Sequence, residues 1–146
     1  MMDPDAIARR LQGRRLTEIL VTGYIDGPER KRQFHPMFDD IYFDFEGLLL
    51  RASSVDQFWH LELTLVRQIE RRFDIEDDDD FGVCSLDFVL RCPDGPNYLT
   101  QIIVFESADA ATTRTAVCVA LVLECRGTEV LLDALLLDPR HPFGIH

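Results

Sequence analysis

Along most of this chain apolar residues recur at every second position, the period of strands with one buried face. Ile41, Phe43 and Phe45 fall on one face of such a run, with Asp44 and Glu46 on the other. Trp59, Leu61, Leu63 and Leu65 alternate with His60, Glu62 and Thr64. Cys84, Leu86, Phe88, Leu90 and Cys92 alternate with Ser85, Asp87, Val89 and Arg91. Residues 15–25 are rich in β-branched and aromatic types and predict a strand, as do residues 98–106. Residues 116–125 and 128–137 predict a last hairpin around Arg126-Gly127. Both of its strands are apolar on two faces, which places them centrally in a sheet. Glu46-Gly47 predicts a tight turn into Leu48–Ala52. Residues 66–73 fit a second period as well, because Val66, Ile69 and Phe73 have helical spacing.

The start of the chain is the clear helical signal. Asp3 suits an N-cap, Pro4 the first helical position, and Asp5 the positive end of the helix dipole. Ile7 and Leu11 lie four apart on one face, Arg9 and Arg10 sit towards the negative end, and Gly13 is a stop. Between the elements, residues 26–37 hold two prolines, a glycine and the run Glu29-Arg30-Lys31-Arg32, and read as a solvent loop. Residues 74–80 form an acidic loop, Pro93–Asn97 a turn, and Glu106–Thr115 a polar loop. The pattern predicts an α+β fold over 1–146 as a single domain. One N-terminal helix packs on a mostly antiparallel, strongly curved sheet of about seven or eight strands.

Charge sharpens the picture. The formal net charge is -11 and the sequence pI about 4.6, so the field repels phosphate backbones and attracts basic surfaces. Direct nucleic-acid binding is not expected. The imbalance is uneven. Residues 1–35 carry seven basic and five acidic side chains, net +2, and residues 36–146 carry eight and 21, net -13. Lys31 is the single lysine, which removes mechanisms needing a lysine elsewhere. The N-terminal residues have no apolar run of the secretory type, and no apolar stretch approaches the roughly 20 residues of a membrane span. A cytoplasmic protein with free thiols is expected.

Motifs for chemistry are missing. There is no GxGxxG, no GxxxxGK[ST], no GxSxG and no HExxH. The acidic run is not a calcium-binding EF-hand, since counting from Asp74 the required glycine is Asp79. No CxxC pair occurs among Cys84, Cys92, Cys118 and Cys125. Cys84 and Cys92 share an apolar face and read as small core residues. Cys118 and Cys125 fall in the apolar hairpin. His35 with Asp39 and Asp40 is the one acid–base or metal constellation suggested by spacing. His60 lies on the polar face of its strand, and His141 and His146 flank the C-terminal Phe143-Gly144 without a third ligand. No metal or cofactor is expected.

The remaining candidate is the anionic run itself. Asp74, Glu76, Asp77, Asp78, Asp79 and Asp80 form a patch for a basic partner, with Asp39 and Asp40 as neighbours and Phe73 and Phe81 flanking it. Self-repulsion keeps such a loop extended; a charge run is more often a merely solvated loop, and the docking patch is the functional reading beside it. The chain closes with Asp138-Pro139, then Phe143-Gly144-Ile145. That ending, with the small size and acidity, resembles the immunity proteins of bacterial toxin systems. The resemblance implies a non-catalytic, cytoplasmic protein that binds and blocks a basic toxin or nuclease. It assigns no functional residue. Two other readings stand beside it. One is a small enzyme or ligand-binding domain with His35, His60 and His141 in a pocket of a curved sheet. The other is a subunit that self-associates through an exposed sheet edge.

Overall fold

A computed structural model describes residues 3–55, 60–86, 97–105, 118–123 and 129–133. The chain opens with helix α1 (Pro4–Leu11). The Asp3 carboxylate accepts the Asp5 N–H at 3.3 Å, satisfying one of the donors a helix start leaves unpaired. Eight strands follow: β1 (Leu16–Asp26), β2 (Gln33–Phe45), β3 (Leu48–Val55), β4 (His60–Val66), β5 (Asp80–Ser85), β6 (Leu99–Phe105), β7 (Cys118–Leu123) and β8 (Glu129–Asp133). Every ladder is antiparallel. Among the described residues the α+β class, one helix and the strand number expected from the pattern are present.

The strands form two sheets rather than one. Five stand in the order β4-β3-β2-β1-β5 and three in the order β6-β7-β8. They meet at β1. Its later half pairs with β5, while at its start the Leu16 N–H donates to the Asn97 carbonyl at 2.9 Å and Arg15 bridges Tyr98. β2 occupies the other side of β1 there, with Leu16 opposite Phe45. From this junction β6 runs away from β1, and α1 lies against β6 and touches β4. β4 also meets β7, but no ladder closes the two sheets among the described residues.

The core fills the space under the helix. Ile7 and Leu11 of α1 pack with Ile19, Val21, Ile41, Phe43, Phe45, Leu50, Leu61 and Leu63, all at most 1 % exposed. Val119 and Leu121 of β7 and Leu99 of β6 belong to the same cluster, with Leu16, Leu48, Ala52 and Leu86. Burying each large side chain of this kind contributes about 1.5–3 kcal/mol. The i, i+4 pair on the helix and the period-two residues on the strands therefore meet in one hydrophobic cluster, as the pattern predicted.

Four local expectations are corrected. Residues 33–37 are not loop. They continue β2 as far as Gln33 opposite Asp26, through the pairs Ile25–Phe34 and Tyr24–His35, because aromatic side chains there have cross-strand partners and Pro36 sits beside an irregularity in the ladder. Residues 67–73 are not helical but follow an irregular course. Val66 instead ends β4 opposite Leu49. Cys84 is exposed, because β5 is the edge strand of its sheet. Of the last hairpin, β7 is central in its sheet but β8 is an edge strand among the described residues. Trp59, residues 87–96, Cys125, His141, His146 and the tail from Asp138 lie outside the described residues.

Candidate partner-binding surface

The face of the five-stranded sheet opposite the core carries the polar residues of interest. The turn between β2 and β3 shows how local sequence fixes it. Glu46 and Gly47 have φ of 56° and 94°, the two-residue hairpin turn whose twist matches the strands. The Gly47 N–H donates to the Asp44 carboxylate at 2.8 Å. This sets β3 in register, with Arg51 opposite Tyr42 and Ser53 opposite Asp40.

Between Val21–Ile41 and Gly23–Pro36, β2 advances five residues while β1 advances two. This bulge carries Met37, Phe38, Asp39 and Asp40, and bulges re-aim side chains. Gly23 is required beside it: a Cβ there would run into the His35 carbonyl and lie 2.8 Å from the Phe34 ring. The Asp40 carboxylate is buried and committed. It accepts the Ser53 hydroxyl at 2.6 Å and the Arg72 guanidinium at 3.1 Å, and Arg72 also donates to Ser53 at 3.0 Å. Asp39 stays exposed, yet partial desolvation of its carboxyl, reinforced by the Asp40 charge, raises its pKa above the usual 3.8. The bulge thus separates two adjacent carboxylates that the sequence pattern grouped together.

Arg72 belongs to the segment that leads into the acidic run, so the Asp40 cluster is one of its anchors. A second is Tyr42, fully buried, whose hydroxyl lies 3.4 Å from both the N–H and the carbonyl of Glu70. Burial raises the Tyr42 phenol above its usual 10.0, Asp40 adds to the shift, and the Glu70 bond and Arg51 oppose it. A third is the contact of Phe73 with Phe81, ring centroids 6.0 Å apart. Beyond these anchors the Asp79 N–H donates to the Glu76 carbonyl at 3.0 Å, closing a turn. Asp74, Glu76, Asp77 and Asp78 are exposed, Asp79 is half-buried, and Asp80 opens β5. Asp80 pairs with Arg32 at 2.9 Å, and Arg32 also donates to the Ile25 carbonyl at 3.0 Å. Six carboxylates in seven residues are thus displayed on a turn with fixed roots.

Of the anticipated patch, Asp74, Glu76, Asp77, Asp78 and Asp80 are exposed and Asp79 is half-buried. Asp40 is taken out of it by burial and joins it only through Arg72. Arg72, Ser53, Tyr42 and Arg32 were not legible as parts of the site. Arg32 lay in a run read as solvent loop, and nothing in sequence spacing pairs Arg72 with a residue 32 positions earlier.

No family model, curated protein or solved structure matches the chain.

The histidine constellation is rearranged. His35 bonds Asp26 at 2.7 Å, not Asp39 or Asp40, and stacks on Tyr24 with ring centroids 4.7 Å apart. It is a cross-strand cluster beside the 27–32 loop that closes the β1–β2 hairpin. Among the described residues no group of three or more His, Cys, Asp or Glu is placed to hold a metal ion. A cleft of about 470 Å³ lies between α1 and β6, lined by Ala8, Arg9, Gln12, Leu99 and Thr100. Its Thr100 hydroxyl already donates to the Val122 carbonyl at 3.0 Å, and His35 does not line it. Among the described residues no helix is long and apolar enough to cross a membrane.

Proposed function

We propose that this chain is a non-catalytic binding protein that occludes a basic protein partner, in the manner of an immunity protein against a toxin or nuclease. The observation that carries the reading is the anchored acidic turn. A solvated charge run needs no buried support. Here the run is approached through a buried carboxylate, a buried tyrosine and an aromatic pair, and is closed by its own backbone hydrogen bond. Such roots reduce the entropy lost when carboxylates meet a cationic surface. The net -13 of residues 36–146 supplies the long-range attraction. Complementary charge mainly accelerates association and rejects wrong partners. Phe73, Phe81 and the exposed Val83 beside the turn supply apolar contact area.

The test is capture from the native lysate at low and high salt, with the parent chain and an Asp77→Lys/Asp78→Lys variant side by side. A single basic protein retained by the parent, released by salt and lost by the variant is the expected result. Its association rate with the variant falls about tenfold or more. The reading fails if the parent retains no basic protein, or if the variant retains the same protein equally well.

A further inference from the structure

We propose that the basic partner is held as an added strand on the outer edge of β5, with its backbone paired to Phe81 and Val83. The inference rests on the basic-partner reading above and specifies how that contact is made.

The phase of the β1–β5 ladder is fixed by one bond: the Leu86 N–H donates to the Ile19 carbonyl at 2.7 Å. In an antiparallel ladder such bonded pairs alternate with unbonded ones. The pairs Val21–Cys84, Gly23–Gly82 and Ile25–Asp80 are then the bonded ones. Phe81 and Val83 therefore turn their N–H and C=O groups away from β1. β5 ends the five-stranded order, and no strand lies on that side of it among the described residues. Val83 is 44 % exposed, a large apolar side chain on an unpaired edge. Edges of this kind are templates for another chain.

Charge chooses the occupant. The acidic turn runs directly into Asp80, the first residue of the edge strand. A second copy of this chain would bring another -11 to the same edge, whereas a basic strand brings the opposite charge. In antiparallel register the incoming strand places its C-terminal end beside Asp80 and Asp79. Its apolar residues fall opposite Phe81 and Val83.

The test uses a blocked peptide, acetyl-Thr-Val-Thr-Val-Arg-Arg-Arg-amide, in two forms of equal mass and charge. One is N-methylated at both valines, the positions whose N–H groups face β5 in this register. The other is N-methylated at both threonines, whose N–H groups face away. The threonine-methylated form is expected to bind about tenfold more tightly, as two retained backbone bonds imply. It is also expected to slow hydrogen exchange at the Phe81 and Val83 amides. Val83→Pro, which an edge strand tolerates where the N–H points outward, lowers that binding several-fold with an unchanged far-UV spectrum. Equal, salt-sensitive binding of the two forms without amide protection overturns strand addition and leaves docking on the carboxylates standing. Absence of binding by both forms at low salt overturns both readings.

Discussion

Replacing Asp40 by alanine removes the residue that anchors the acidic segment to the sheet, and the structure sets the size of the effect. The Asp40 side chain is 7 % exposed and accepts two hydrogen bonds, from Ser53 at 2.6 Å and Arg72 at 3.1 Å. Hydrogen bonds to charged groups contribute about 1.5–3 kcal/mol each. The Ser53 bond is buried and short, so it takes the middle of that range. The Arg72 side chain is 41 % exposed, and solvent screening reduces its share to about 1 kcal/mol. The expected loss is about 3 kcal/mol, or roughly 9 °C in Tm for a chain of this size. Urea denaturation followed by circular dichroism measures it. Arg72→Ala alone costs about 1 kcal/mol, and in a double-mutant cycle the pair couples by a similar amount. Hydrogen exchange in residues 70–79 rises in either variant ahead of exchange in β2 and β3. An Asp40→Ala loss below about 1 kcal/mol, or strictly additive Asp40 and Arg72 effects, would refute the anchoring argument.

Three further outcomes are expected. Gly23→Ala forces a methyl group against the His35 carbonyl, a backbone atom that cannot swing aside; it destabilises by about 3 kcal/mol in urea melts, at the upper end of overpacking costs. Asp39→Asn stabilises the protein at neutral pH. The raised Asp39 pKa means that folding disfavours its charged form, a penalty absent below 3.8 and acquired as pH rises through the folded value. The gain of Asp39→Asn over the parent therefore shrinks as pH falls towards 3.8, and a gain unchanged with pH would contradict the assignment. Tyr42→Phe removes the long hydroxyl contacts to Glu70 and costs about 0.5–1 kcal/mol, with faster hydrogen exchange confined to residues 67–79.

Local pattern decided the elements whose determinants are close in sequence. Asp3, Pro4, Ile7 and Leu11 specify α1 through capping and a four-residue repeat, and the structure places Ile7 and Leu11 in the core. Glu46-Gly47 specifies the β2–β3 turn, because only a two-residue loop with positive φ closes that hairpin with the right twist. Alternation in β2 and β4 named Ile41, Phe43, Phe45, Leu61 and Leu63 as inward-facing, and all are buried. The acidity of residues 74–80 is equally a property of the chain alone.

Tertiary structure decided everything that depends on which strand lies beside which. The pattern read Cys84 as core, yet it is exposed because the topology puts β5 at an edge, and alternation does not encode sheet order. Asp39 and Asp40 are chemically equivalent neighbours in the sequence. A bulge opposite Thr22 leaves one exposed and buries the other against Ser53 and Arg72, residues 13 and 32 positions away. His35 finds Asp26 rather than the carboxylates next to it, because hairpin register places it opposite Tyr24 and beyond the reach of local spacing. The sequence alone supplied the negative charge and the strands. Long-range pairing decided which carboxylates support the fold and which are left exposed, because a carboxylate's role follows from the cations and hydroxyls brought to it across the sheet.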